Sequence, residues 1–307
     1  MQNVKTKEAK EKLRAIRPGR ADRVFDFINV IVLGIALLIT AYPLYFILIA
    51  SVSDPMLVNA GKVLLYPKGL TLLGYERIFS IDSVMVGYKN TILYTATGTL
   101  MSLALTLTGG YALSRQTLPF RKFFTSVFTI TMFLHGGTIP MYLLIKKLGL
   151  LDSMWAVILP GALSVWNMII ARTFYTANIT EDLQGAADID GCGQIRFFFV
   201  IAMPLTKALV AILALYYMVG YWNSYFSAVM YLKSASRFPL QLVLREILIM
   251  DQNQEMLNDM WDIIERQKTA ELVKYGVIIV STLPLMGIYP FVQKFFIKGV
   301  MIGSLKG

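Results

Sequence analysis

His135 and Cys192 are the single histidine and the single cysteine of the 307 residues. That removes most of the chemistry a side chain can do. A metal centre needs several nitrogen, sulfur or carboxylate ligands held together, and an intrachain disulfide needs two cysteines. A Ser–His hydrolase would have to take His135 as its base, and no recognisable nucleophile motif stands with it. We therefore expect no catalytic residue, no metal and no cofactor on this chain. The residues left to consider are those that dock, bend or line a path.

The densest run of these is 180–204. Thr180 is a good helix N-cap, and Glu181 and Asp182 suit the positive end of a helix dipole. Leu183, Ala186 and Ala187 share one face of the short helix this predicts. The small side chains there, with Gly185, let another protein's backbone come close. Asp190 precedes Gly191, which can take φ > 0 and end the helix. An apolar run at 197–201, including Phe198, then enters a membrane, and Pro204 suits the start of the next helix. Taken alone, this is a short surface helix built for docking.

The elements around it follow from composition. Hydrophobic residues make up 56%, charged residues 16%, and the mean hydropathy is +0.59. A soluble domain carries nearer ~25% charged residues, so disorder and a charge-rich nucleic-acid binder are both excluded. Apolar stretches at about 27–50, 90–113, 123–145, 154–171, 208–232 and 275–293 each reach about 27–37 Å as helix, enough for a hydrocarbon core of about 30 Å. The expected fold class is all-α, a polytopic integral membrane protein with six transmembrane helices. The first stretch is longer than a signal h-region and no small-x-small site follows it, so it is expected to remain as an anchor.

The net charge of +10 then reports topology. Arg14, Arg17, Arg20 and Arg23, behind Lys5, Lys7, Lys10 and Lys12, place the tail 1–23 in the cytoplasm, and six spans return the C-terminus there. The inside segments are 1–23, 114–122, 172–207 and 294–307, and their excess of Lys and Arg over the outside segments is modest. Outside loop 51–90 carries turn chemistry (Asp54-Pro55, Pro67-Lys68-Gly69) and suits a small folded element. Outside loop 233–274 reads as short amphipathic helices at 240–250 and 251–272.

No Asp, Glu, Lys or Arg falls inside these six spans. Ion-driven carriers and proton pumps keep an ionisable group near the bilayer centre, and a cation channel keeps an acidic ring. A solute moved by this chain must therefore draw its energy from another subunit. Uncharged polar residues do occur: Thr95, Thr97, Thr99, Ser102, Thr106 and Thr108 with Gly98, Gly109 and Gly110 in the second span, and Asn167 in the fourth. They read either as helix packing or as a path for a hydroxyl-rich solute. His135-Gly136-Gly137 and Pro140 interrupt the third span, as a cavity or hinge or as a packing kink. The run Tyr221-Trp222-Asn223-Ser224-Tyr225-Phe226 offers a face for sugar rings or an interfacial anchor. The path candidates are thus His135, Gly136, Gly137, Asn167, Tyr221, Trp222 and Asn223.

The 180–204 segment resembles the cytoplasmic EAA loop of permease subunits of ATP-binding-cassette importers, whose pattern runs roughly E-A-A-x-x-D-G-A-x-x-x-x-x-F-x-x-I-x-L-P. Ala186, Ala187, Asp190, Gly191, Phe198, Ile201 and Pro204 match. Gly185 stands for Glu, Cys192 for Ala and Met203 for Leu, and the Gly185 change removes a carboxylate. Gly110-Tyr111-Ala112-Leu113-Ser114-Arg115 is similar to the A-Y-A-L-S-R of sugar-importer permeases. The stretch 137–150 and Trp222-Asn223 fit the same family, and the ending Gly303-Ser304-Leu305-Lys306-Gly307 resembles the tail of the shorter permease of maltose-type importers. The likeness is strongest to permeases for complex or oligomeric sugars in Gram-positive bacteria.

The resemblance implies the type I importer permease fold in a bacterial cytoplasmic membrane, with a cytoplasmic tail 1–23, a permease domain 24–298 and a cytoplasmic tail 299–307. The coupling loop at about 178–204 would seat in a cleft of the ATPase through Glu181, Asp182, Leu183, Gly185, Ala186, Ala187, Asp190 and Gly191, backed by Phe198 and Pro204. Gly303, Lys306 and Gly307 would reach the ATPase as well. It also implies partners: a second homologous permease, two ATPase subunits that hold ATP and Mg, an extracytoplasmic solute-binding protein and membrane lipid, but no nucleic acid. The alternative is the same architecture for a peptide. An anion would want Arg or Lys in a span.

Overall fold

The computed structural model describes residues 19–134, 136–254, 273–290 and 293, and among these residues there are helices and turns but no strand. In chain order the main helices are α1 (Arg20–Ser51), α2 (Asp82–Ser114), α3 (Arg121–Phe133), α4 (Thr138–Lys147), α5 (Met154–Ile158), α6 (Val165–Asn178), α7 (Glu181–Ile189), α8 (Gln194–Leu205), α9 (Lys207–Trp222), α10 (Leu240–Gln254) and α11 (Val273–Pro290). Three apolar helices, α1, α2 and α11, can each cross a membrane unbroken. Three bent pairs bring the spans to six: α3 with α4, Met154–Gly161 with α6, and α8 with α9. The chain divides into two compact units, Met1–Thr71 and Leu72–Gly307.

In the first unit, the chain after α1 turns back on itself. The Asp54 N–H donates to the Lys68 carbonyl (3.0 Å) and the Thr71 N–H to the Val52 carbonyl (3.0 Å). The Asp54 carboxylate caps the short helix Pro55–Asn59 by accepting from the Met56 N–H at 2.8 Å. Gly69 sits at φ +65, where a Cβ would lie 2.8 Å from that of Asp54, so only glycine closes this turn without strain. The hydroxyls of Tyr42 and Tyr45 donate to the carbonyls of Leu64 and Leu65. They satisfy backbone acceptors that an apolar surrounding would leave unpaired.

In the second unit, α2 is the spine against which α6, α9 and α10 pack. Its hydroxyl-bearing residues divide by face. Thr91, Thr95, Thr99, Ser102 and Thr106 are buried. Ser102 shares a hydrogen bond with Tyr221 (2.9 Å), Thr106 shares one with Tyr217 (2.6 Å), and Thr91 accepts from the Leu240 N–H (2.8 Å). Thr97 is half-buried and Thr108 exposed, and both donate to carbonyls of their own helix, Leu93 and Ala104. Three of the five buried hydroxyls, on Thr91, Ser102 and Thr106, thus serve helix packing, the first of the two readings.

Several boundaries differ from expectation, each for a local reason. The fifth span is not continuous over 208–232. α9 stops at Trp222, because the Asn223 amide and the Ser224 hydroxyl take the Val219 and Tyr221 carbonyls, a local competition these side chains favour. Helix resumes at Phe226–Tyr231. Pro204 stands in the first turn of the short α-helical piece Met203–Leu205 that closes α8 after a π-turn at Phe198–Ala202, and not at the start of α9. α8 then meets α9 at 83°. The fourth span bends by 49° and runs on to Asn178. There is no break at 250/251, since α10 continues to Gln254 and buries Leu240, Leu242, Val243 and Leu244. Residues 255–272 lie outside the described residues.

Asp152 ties the 146–153 loop to the chain after Phe226–Tyr231. Its carboxylate accepts from the Ser234 hydroxyl (2.6 Å) and from the N–H groups of Ser234 (3.0 Å) and Lys233 (3.0 Å), and it pairs with Arg237 at 3.2 Å. These hydrogen bonds, the Ser234 hydroxyl first, hold its carboxyl down to about 2. A depressed folded pKa contributes stability that is present above the unfolded value of about 3.9 and lost as pH falls through the folded one. Wild type should thus outlast Asp152→Asn in thermal unfolding at pH 7. The gap should close between about pH 4 and pH 2, and a gap that stays constant over that range would refute the assignment.

Candidate functional site

α7 is bounded by the residues the sequence marks. Thr180 accepts the Leu183 N–H at its start (3.4 Å). At its end Gly191 adopts φ +71. The Gly191 N–H donates to the Asp188 carbonyl (3.0 Å) and the Cys192 N–H to that of Ala187 (2.8 Å), the paired bonds of a left-handed glycine stop. Asp190 is the C-cap.

The face expected to dock, Leu183, Ala186 and Ala187, is divided between core and surface. Ala187 is buried, and Leu183 packs beside it on a cluster that includes Tyr111, Tyr175, Ile179, Phe197 and Phe198. The open face carries Asp182, Gly185, Ala186 and Ile189. Ile189 is 89% exposed, and Ile195, just past the glycine stop, is 78% exposed. Neither isoleucine was among the sequence candidates. Gly185 has open space around its missing Cβ, so the absent family carboxylate leaves no hole in the fold.

α7 is held from the end of α2. Arg115 is 8% exposed. Its guanidinium donates to the Gln184 side-chain oxygen (3.0 Å), the Ile179 carbonyl (3.2 Å) and the Ser114 hydroxyl (3.0 Å), and it stands 5.0 Å from the centre of the Tyr111 ring. Burial pushes this guanidinium below its ordinary pKa, against the pull of Tyr111 and Glu181. Gln184 also donates to Gln194 at 3.1 Å, joining α7 to α8. A cleft of about 630 Å³ opens here, lined by Arg115, Arg121, Thr180, Glu181, Gln184 and Asp188 among others.

The path candidates are distributed rather than gathered. Tyr221 is buried, donates to the Ile158 carbonyl (3.2 Å) and lines a cleft of about 230 Å³ with Tyr216, Gly220, Ser224 and Ser227. Gly136 and Gly137 line a second cleft of about 490 Å³ with Met141, Phe226, Ser227 and Tyr231. Ser227 borders both. Trp222 is packed away from both, with its indole N–H on the Ser281 carbonyl at 2.8 Å. Asn167 is buried at the start of α6, and Asn223 is exposed at the end of α9. His135, Gly303, Lys306 and Gly307 lie outside the described residues.

No family model matches the chain. Individual proteins do. Protein LplC of Bacillus subtilis strain 168 is 36% identical over 289 residues, 94% of this chain and 97% of that one. The polygalacturonan/rhamnogalacturonan transport system permease protein YtcP of the same strain is 37% identical over 287 residues, 93% of this chain and 99% of that one. Among solved structures, a chain from the crystal structure of a bacterial ABC transporter involved in the import of the acidic polysaccharide alginate aligns with a TM-score of 0.80 and 30% identity. It covers 91% of this chain and 98% of that one.

Proposed function

We infer how this chain works from one premise: it belongs to the permease family of carbohydrate ATP-binding-cassette importers. It is the multi-pass membrane subunit of an ATP-driven sugar importer. Its termini face the cytoplasm, a second homologous permease completes the path, and two ATPase subunits carry the ATP and Mg. An extracytoplasmic binding protein delivers the solute. ATP binding closes the ATPase pair and draws the two coupling helices together, which switches the permeases between inward and outward access. The observation that carries this reading is the pair of bare isoleucines on and just beyond α7, since a helix kept at a surface with an apolar side chain outward is arranged for a partner.

The solute is an oligosaccharide. Two of the similar proteins are named for polysaccharides, and the cleft beside Tyr221 offers aromatic and hydroxyl-bearing side chains suited to sugar rings. The test is reconstitution of the complex in lipid vesicles with its binding protein, assaying ATP hydrolysis against neutral oligosaccharides, uronate oligosaccharides and peptides. Stimulation by at least one oligosaccharide and by no peptide is expected. Silence across all the carbohydrates would reject the substrate class. Deleting residues 181–190 should release the ATPase on purification, and its retention would reject the docking role of α7.

A further inference from the structure

We propose that Arg115 is a positioning residue for coupling: it carries displacement of α7 into α2 and so toward the cleft beside Tyr221. This deepens the reading above and rests on it. α7 joins the chain through the turn at Ile179–Thr180 and through Gly191–Gly193, and its inner face meets the core through apolar contacts, which have no preferred direction. Among the described residues, two directional ties remain, Gln184 to Gln194 and Gln184 to Arg115. The second leads into α2, the helix against which α6, α9 and α10 pack. Arg115 holds the pivot at both points, the Ile179 carbonyl before α7 and the Gln184 side chain within it.

The other end of the linkage is equally specific. Arg115 caps α2, and a helix transmits an end displacement as a rod. Thr106 and Ser102, about 14 and 20 Å further along at about 1.5 Å per residue, hydrogen-bond Tyr217 and Tyr221 of α9. Both tyrosines line the 230 Å³ cleft. A planar guanidinium with three engaged nitrogens and a ring against its face fixes direction as well as distance, which a lysine ammonium does not.

The experiment uses the intact complex in vesicles with Arg115→Gln, Arg115→Lys, Gln184→Leu and Gln184→Glu. Four quantities are read: retained ATPase, basal hydrolysis, solute-stimulated hydrolysis and uptake. Arg115→Gln and Gln184→Leu should keep the ATPase and the basal rate but lose stimulation and uptake by about tenfold, the scale of a coupling energy. Arg115→Lys should fall between, and Gln184→Glu, which keeps the acceptor, should match wild type. Wild-type uptake in Arg115→Gln would overturn the proposal, as would loss of the ATPase from that variant, which would make Arg115 a docking residue instead. A wild-type complex that holds no ATPase would overturn the underlying reading, a result seen without any variant.

Discussion

Ile189→Asp is expected to strip the ATPase from the complex while leaving the permease folded. The argument rests on where the side chain stands in each state. Alone, Ile189 is 89% exposed, so the substitution removes almost no contact within the chain. The one intrachain cost is an acidic group at the negative end of a helix, about 0.3–1 kcal/mol at an exposed site. In the docked state proposed for α7, the same position sits under the partner. Losing an apolar anchor at the centre of an interface costs about 2 kcal/mol or more, and an unpaired carboxylate forced out of water adds to that. A loss above about 2 kcal/mol weakens binding by roughly thirtyfold or more, enough to lose the subunit on a column.

Ile189→Leu should behave as wild type and Ile189→Ala should fall between. Ala187→Asp provides the contrast: it places a carboxylate in the buried cluster and should lower the yield of folded permease, which Ile189→Asp should not. Co-purification of the ATPase with each variant decides the matter, and full retention with Ile189→Asp would remove α7's open face from the interface.

The exposure of Ile189 shows what the sequence makes legible here. The sequence groups Leu183, Ala186 and Ala187 on one face, and the structure buries Ala187 while leaving Ala186 open. At about 100° per residue, Ile189 falls about 200° round from Ala187, on a face that otherwise carries Asp182, Gly185 and Ala186. A lone isoleucine there has no periodicity to announce it. Which face meets the core depends on Tyr175, Ile179, Phe197 and Phe198 closing over Ala187, and that closure is a tertiary fact. The spans, by contrast, were readable because apolar length is a local property. Even so, the stop at Trp222 and the π-turn before Pro204 depend on how single carbonyls are satisfied.

Arg115 lies between these cases. Its motif stands out in the sequence, but its partners are 64 and 69 residues away, and one sequence does not pair residues over that distance. The same holds for Ser102 and Tyr221, 119 residues apart. The hydroxyls on α2 could be counted beforehand. Which of them point at tyrosines of α9, and which turn outward to their own helix, follows only from how α2 is rotated against its neighbours.

That rotation depends on glycines, and Gly110→Ala should cost the fold more than its single methyl group suggests. A Cβ at Gly110 would stand 2.6 Å from the Ala171 Cβ, 3.1 Å from the Arg172 nitrogen and 3.2 Å from the Met168 carbonyl oxygen. These atoms belong to the backbone and Cβ of α6, so no rotamer change makes room and the helices must part. Overpacking of this kind costs about 1–3 kcal/mol, against a gain in helix propensity of about 1 kcal/mol. Gly185→Ala is the matched control, the same substitution in α7 with nothing within 4 Å of the new atom. It should gain most of that propensity term. The two variants should therefore move the thermal midpoint of the purified permease, without the ATPase, in opposite directions. Gly110→Ala should also reduce stimulated hydrolysis, because α6 leads directly to Ile179, whose carbonyl Arg115 grips from the end of α2. Equal midpoints for the two alanine variants would mean that α2 and α6 are not packed as closely as Gly110 permits.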